Sequence, residues 1–170
     1  MVSIEEPGKT IPAVVFGLVF PLFGIFLYTQ FDYMGVNFYN DIILQISNDF
    51  SYTMFQWLYS LFKGDMINQL SIHGVAAFFI TPLMSAVLTW FLHGFFIGVF
   101  IKKLKPMFIV SVVSALLLIL FLIIFAVISD ASYNTLSLIF NAELEKFLGS
   151  LLVLGIFMPI GGILGYFTGR

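Results

Sequence analysis

The sequence predicts an all-α integral membrane protein, a four-helix transmembrane bundle with amphipathic helices on its external face. Composition is the first reason, since 61% of the 170 residues are hydrophobic and only 9% are charged, against roughly 25% charged residues in a soluble domain. The second reason is the presence of four long runs without Asp, Glu, Lys or Arg. Each is long enough to cross a hydrocarbon core of roughly 30 Å as a helix. We expect one transmembrane domain over residues 1–170.

The four predicted spans cover residues 11–29, 74–101, 107–129 and 147–169. In lipid, every backbone N–H needs a partner within its own segment or in a closed sheet. The runs lack the period-two alternation of barrel strands, so each is predicted to be a helix. The first run is interpreted as a retained helix and not as a signal peptide, because Glu5 and Glu6 precede it and no small-residue cleavage site follows it.

The distribution of Lys and Arg predicts the orientation, because positive residues are preferentially kept on the cytoplasmic side. In a four-span arrangement two of the seven, Lys63 and Lys146, fall on one side. The other five fall opposite them and are Lys9, Lys102, Lys103, Lys105 and Arg170. We therefore expect a multi-pass protein of the cell membrane with both termini cytoplasmic and with Asp49 and Glu143 outside. The low arginine content and the Ile, Phe and Asn usage favour a prokaryotic source.

Two connections on the external side are predicted to contain amphipathic helices, at residues 38–62 and 133–146. In the first, apolar residues recur at helical spacing. Its candidate docking residues are Ile43, Ile46, Phe50, Met54 and Trp57. Two locations suit this helix: a lid on the bundle and membrane surface, or a docking surface for another subunit.

Small residues at four-residue spacing predict close helix contacts in spans 2 and 4. Glycines at such spacing let two backbones approach each other in a membrane, where no hydrophobic drive for helix association exists. The glycines concerned are Gly94, Gly98, Gly161, Gly165 and Gly169. Two hypotheses remain open, namely packing of span 2 on span 4 or span 1 within one chain, and homodimerisation through the same face.

Span 2 also contains a line of polar residues. Thr81, Ser85, Thr89 and His93 recur every four residues and so share one helix face. Ionisable groups inside a membrane often mark substrate or proton paths, whereas Ser, Thr and a neutral histidine also serve as hydrogen-bonded packing groups. The line is therefore a packing seam, a path for a solute or proton, or, through His93, a site of haem or metal ligation.

The residue types exclude several kinds of function. There is no cysteine for thiol chemistry or thiolate metal sites, and no span combines a carboxylate with paired histidines. A net charge of −2 without a large basic cluster excludes nucleic acid as a partner. No catalytic residue, metal or cofactor is predicted. We expect a non-catalytic subunit or assembly and scaffold component of a membrane protein complex, in contact with the lipid bilayer and with other membrane subunits or further copies of itself.

Two alternative functions follow from the polar line of span 2. The first is a small solute or proton transporter or channel. The second is a haem-binding redox subunit, in which a partner chain or a second copy supplies the other axial ligand, because His73 and His93 are separated by about 30 Å along a continuous helix.

Overall fold

The computed structural model describes residues 7–80, 83–139 and 144–169. Of the residues in these ranges, 82% are helical. Its α-helices, in chain order, are α1 (Pro7–Leu27), α2 (Phe50–Ser60), α3 (Met66–His73), α4 (Leu83–Phe100), α5 (Leu104–Tyr133), α6 (Thr135–Ser137) and α7 (Leu144–Thr168). Within the described ranges, α1, α4, α5 and α7 are long and apolar enough to cross a membrane. This confirms the prediction of a mostly helical chain with four membrane-length helices, and it fits a multi-pass membrane protein.

The four long helices pack side by side. α4 and α7 run in the same direction and make the closest pair, and α1 packs against α4 and α5. Residues 101–103 join α4 to α5 at one end of the bundle, which we call the turn end. α1 ends at the opposite, lid end. Exposed hydrophobic side chains line the outer faces of these helices, for example Val15, Leu116 and Leu152, as expected for a surface in contact with lipid.

Residues 28–62, which we call the lid, cover the end of the bundle at which α1 finishes. The lid starts with a two-stranded hairpin, β1 (Asp32–Tyr33) and β2 (Val36–Asn37), paired antiparallel with Tyr33 opposite Val36. Met34 and Gly35 turn the hairpin with φ angles of +52° and +78°, the pair of positive angles that a tight two-residue turn requires. A π-helix over Phe38–Ile43 and then α2 complete the lid.

The lid differs from the single helix predicted over residues 38–62. Turns separate the π-helix from α2. Asp49 accounts for the break, because its backbone is not helical and its carboxylate accepts a hydrogen bond from the Tyr52 N–H at 3.0 Å. Ser, Asn and Asp favour such caps over helix interiors, and the sequence before α2 is Ser47-Asn48-Asp49.

Span 2 is shorter as an α-helix than the predicted range 74–101. α4 begins only at Leu83, and the residues before it form α3 and a 3-10 helix over Gly74–Phe79. Gly74 has a φ of +57°, a left-handed conformation that suits glycine and ends α3. Pro82 has no N–H to donate, and α4 starts directly after it. Apolar composition therefore overestimated the length of this helix.

The predicted amphipathic helix over 133–146 is also divided. α5 extends to Tyr133, Asn134 has a φ of +50°, and the short α6 follows. Residues 140–143, including Glu143, lie outside the described ranges. α7 begins at Leu144.

One hydrophobic core joins the lid to the bundle. Tyr33, Phe55 and Leu58 of the lid are buried with Phe26 of α1 and Trp90 of α4. A Cβ at Gly64 would lie 2.5 Å from the Cβ of Ala86 in α4 and 3.2 Å from the Tyr33 hydroxyl, so the glycine allows the chain to approach α4 and this buried ring closely. A second, smaller core lies at the turn end and contains Ala13, Ile97, Met107 and Tyr166. The lid therefore belongs to the folded bundle and is not a separate surface helix.

Candidate functional site

The polar line of span 2 is buried inside the bundle. Ser85, Thr89 and His93 have 1%, 0% and 0% of their surface exposed, whereas Thr81 lies outside the described ranges. The Thr89 hydroxyl donates to the Ser85 carbonyl at 2.7 Å. This bond to the preceding turn satisfies the hydroxyl within α4.

His93 meets a serine of the next helix. Its Nε2 lies 3.1 Å from the Ser114 hydroxyl of α5, and that hydroxyl donates to the Ser111 carbonyl at 2.9 Å. With the single proton of Ser114 directed to the Ser111 carbonyl, we assign Nε2–H of His93 as the donor to the Ser114 oxygen. Sequence reasoning did not pair these residues, although Ser111 and Ser114 are the only polar side chains in the first half of span 3.

α1 brings a backbone carbonyl to the same place. A Cβ at Gly17 would lie 3.0 Å from the Ser114 hydroxyl, so the glycine allows α1 to approach the pair closely. Pro21 has no N–H, and the Gly17 carbonyl therefore lacks the donor it would have in an unbroken helix. The carbonyls of Gly17 and Ser111 lie beside the imidazole of His93, but neither reaches Nδ1 with hydrogen-bond geometry. We call this junction of α1, α4 and α5 the seam.

A serine and a histidine in hydrogen-bond contact also suggest nucleophilic catalysis, and burial argues against it here. Both side chains are 0% exposed, so no substrate carbonyl reaches the hydroxyl. Ser114 is moreover the acceptor in the bond from Nε2–H, which is the reverse of the arrangement in which a histidine base removes the serine proton. The arrangement holds helices together rather than activating a nucleophile.

The glycines of spans 2 and 4 face each other across the α4–α7 contact. At four of these glycines, an added Cβ would clash with a backbone carbonyl of the other helix. The clashes are between Gly94 and the Met158 carbonyl, Gly98 and the Gly162 carbonyl, Gly161 and the Phe91 carbonyl, and Gly165 and the Phe95 carbonyl. At Gly169 the Cβ would lie 3.0 Å from the Val99 carbonyl. By contrast, nothing lies within 4 Å of a Cβ at Gly155. The glycine faces are thus occupied within one chain, which favours the intrachain hypothesis over a homodimer through the same face.

The predicted docking residues divide into two groups. Ile43 and Phe50 are 44% and 56% exposed. Ile46, Met54 and Trp57 are half-buried. The Trp57 Nε1–H donates to the Leu22 carbonyl of α1 at 2.8 Å. Part of the predicted docking stripe therefore packs on the protein's own bundle, as the lid hypothesis expects.

A polar contact that sequence reasoning missed ties the lid to the end of α5. The Tyr133 hydroxyl donates to Oδ2 of Asp49 at 2.7 Å, and the rings of Tyr133 and Tyr52 stack with centroids 3.9 Å apart. The hydrogen bonds from the Tyr52 N–H and the Tyr133 hydroxyl lower the pKa of Asp49, and the bond to Asp49 raises the pKa of Tyr133. We call this contact the Asp49–Tyr133 latch. The partners are 84 residues apart, and only the cap before α2 marks Asp49 in the sequence.

A cavity of about 350 Å³ at the lid end lies between α3 and α7 and is lined by Asp65, Ile67, Asn68, Ser71, Glu145 and Leu148. Asp65 accepts the Asn68 N–H at 3.1 Å and caps α3. Within the described part of the chain, no three His, Cys, Asp or Glu residues converge as metal ligands would. Comparison of the chain with protein-family models, with curated proteins and with solved structures gives no match.

Proposed function

We propose that the protein is a non-catalytic subunit or assembly component of a membrane protein complex. The observation that supports this most directly is the bond from His93 to Ser114, because it uses the one histidine of the candidate spans to join two helices of the chain. The α4–α7 glycine contact also supports this proposal, because these glycines allow close packing of two helices within the chain.

We further propose that the four long helices cross the cell membrane with the lid end outside and both termini in the cytoplasm. The five-to-two distribution of Lys and Arg supports this orientation. Lys102 and Lys103 at the turn end are exposed, where cytoplasmic loops carry such residues.

The surface offered to a partner is the outward part of the lid. The exposed apolar residues of the π-helix, the turn after it and the start of α2 form this surface, namely Tyr39, Ile43, Leu44 and Phe50. Trp57 is directed away from this surface and bonds the Leu22 carbonyl of α1, and Ile46 and Met54 are half-buried. The proposed partner is another membrane subunit, or a second copy of the chain, with an apolar surface at the same level.

Native mass spectrometry of the protein extracted from its own membrane in mild detergent tests the proposal. We expect the chain to leave the membrane with a stoichiometric partner, and the double variant Ile43→Ser with Phe50→Ser to lose that partner while it remains folded. Ile72→Ser is the control, because Ile72 is also an exposed apolar residue, at 62%, but lies on α3 outside the lid. A monomer in the parent protein, or equal loss of the partner in the control, would contradict the proposal.

A transporter is the second candidate function, because the seam contains buried polar atoms that a wetted path would satisfy. Liposome flux measurements on the parent protein and on His93→Gln distinguish the two candidates. Loss of a proton or solute flux in a normally folded His93→Gln protein would favour the transporter. The haem hypothesis has weaker support, since Nε2 of His93 already contacts Ser114, and an absorbance spectrum of the purified protein tests it.

A further inference from the structure

Three polar side-chain atoms at the seam have no hydrogen-bond partner among the described residues. They are Nε1 of Trp90, Nδ1 of His93 and Oγ of Ser111. Trp90 and His93 are fully buried, and Ser111 is 2% exposed. Leaving a buried donor or acceptor unbonded is strongly unfavourable, and most such groups in folded proteins have a protein or water partner. Three of them in one region need an explanation.

These atoms belong to side chains grouped around one imidazole. The rings of Trp90 and His93 are one turn apart on α4 and meet edge to face, with centroids 5.5 Å apart. The Ser111 carbonyl lies beside the same imidazole, and Ser111 is one turn from Ser114, which bonds Nε2. The unpaired groups therefore come from two helices that meet at His93.

One added molecule that has both hydrogen-bond donors and acceptors satisfies the unpaired groups of this cluster. Nδ1 of His93 is an acceptor in the tautomer assigned above, in which the proton is on Nε2 and is donated to Ser114. The Trp90 indole is only a donor, and the Ser111 hydroxyl is both. The Gly17 carbonyl, which lacks its helical donor because of Pro21, adds a second acceptor. A single water molecule supplies two protons and two lone pairs, and a buried water typically makes about three hydrogen bonds.

We propose that a buried water molecule binds at the seam, donates a hydrogen bond to Nδ1 of His93, and accepts hydrogen bonds from both the Ser111 hydroxyl and the Trp90 indole. Its second proton faces the Gly17 carbonyl. The water completes the joint among α1, α4 and α5 that the bond from His93 to Ser114 begins. This inference is independent of the proposed function, because a scaffold and a transporter could both contain such a site.

Solid-state NMR in liposomes tests the proposal on the full chain. The protein has two tryptophans and two histidines, so selective ¹⁵N labelling of these residues gives few signals. We expect His93 to be protonated on Nε2, with Nδ1 accepting a hydrogen bond. We also expect magnetisation to pass from water protons to the side chains of His93 and Trp90. A proton on Nδ1, or no transfer from water to either ring, would overturn the proposal.

The variant Ser111→Ala removes one proposed partner of the water and leaves Ser114 in place. We expect the transfer from water to His93 to be lost or strongly weakened, while the shift of Nε2 stays that of the Ser114-bonded nitrogen. Ser129→Ala is the matched control, since Ser129 lies on the same helix but bonds the Phe125 carbonyl near the lid end. Unchanged transfer in Ser111→Ala would overturn the site. The measurement on the parent protein decides the proposal if Ser111→Ala does not fold.

Discussion

His93 is the residue whose environment differs most from what its chemistry suggests. A histidine inside an apolar span is commonly a sign of proton transfer or ligand binding. Here its Nε2 meets Ser114, and a carbonyl of α1 lies beside the ring. At the scale of single residues, the seam therefore consists of a hydrogen bond between α4 and α5 and a close approach of α1 at Gly17.

Replacement of His93 tests the seam through two variants of different polarity. We expect His93→Gln to keep one hydrogen bond to Ser114 and to leave the free energy of unfolding almost unchanged. His93→Leu should cost about 0.6–2 kcal/mol, the range measured for hydrogen bonds between membrane helices. Unfolding in mixed micelles measures both values. Equal loss of stability in the two variants would show that shape rather than hydrogen bonding matters at this position.

Between elements, the α4–α7 contact is set by the absence of side chains. Backbone carbonyls of one helix occupy the positions that a Cβ on the other would need. A helix contact of this kind is held by van der Waals attraction and tolerates little added volume.

We expect Gly98→Leu and Gly165→Leu each to destabilise the protein by at least about 1–3 kcal/mol, the usual cost of overpacking, because leucine would push α4 and α7 apart. Gly155→Leu on the same helix is the matched control, since its side chain would meet open space. In an α-helix it should even be favourable by up to about 1 kcal/mol. Unfolding free energies in micelles give the comparison. If all three variants were equally stable, the interface would not depend on these glycines.

The Asp49–Tyr133 latch predicts a pH dependence of lid docking. The pKa of Asp49 is lowered, so its contribution is full above the ordinary aspartate pKa and is lost as the pH falls through the lowered value. The pKa of Tyr133 is raised, so its contribution is full below the ordinary tyrosine pKa and is lost as the pH rises through the raised value. The protection of α2 amides from hydrogen exchange, taken relative to the intrinsic exchange rate at each pH, should therefore be greatest between these limits.

Two variants separate the latch from a general effect of charge. Asp49→Asn should remove the acidic change in α2 exchange, and Tyr133→Phe should remove the alkaline change while keeping the ring stack on Tyr52. Asp32→Asn is the control, because Asp32 is an exposed carboxylate elsewhere in the lid. If the acidic change in α2 exchange persisted in Asp49→Asn and disappeared in Asp32→Asn, Asp32 and not Asp49 would be its cause. That result would refute the latch.

At the scale of the whole molecule, the absence of cysteine makes topology easy to measure. Single cysteines can be introduced at three exposed positions, Lys103, Gln45 and Glu145. A membrane-impermeant reagent should reach the cysteine at position 103 from one side of the membrane and the other two cysteines from the opposite side. We expect Lys103→Cys to be labelled only after the membrane is opened, and Gln45→Cys and Glu145→Cys to be labelled in intact cells. Labelling of all three from one side would end the four-span arrangement.

The class and the number of long helices were predictable from the sequence because hydropathy and length are local properties. In lipid, the backbone N–H and C=O groups of four apolar runs of this length, which lack the alternation of barrel strands, find their hydrogen-bond partners only if each run is a helix. Helix ends were less predictable, since apolar composition continues through residues 74–80 while Gly74 ends α3, a 3-10 helix follows it, and α4 begins only at Leu83. Helix ends in the lid were also difficult to predict. The apolar residues there have the spacing of one amphipathic helix, but Asp49 has a non-helical backbone and caps the start of α2.

The sequence by itself thus determined a mostly helical chain, its four helices of membrane-spanning length, and the glycine and polar faces of α4. Only the tertiary structure decided what those faces meet. The glycines of α4 meet α7, His93 meets Ser114, and the lid shares a core with the bundle. The physical reason is that a helical repeat fixes which residues share a face, whereas the partner of that face depends on how distant segments pack. Gly17 and Tyr133 are far from their partners in the chain, and no local pattern records such contacts.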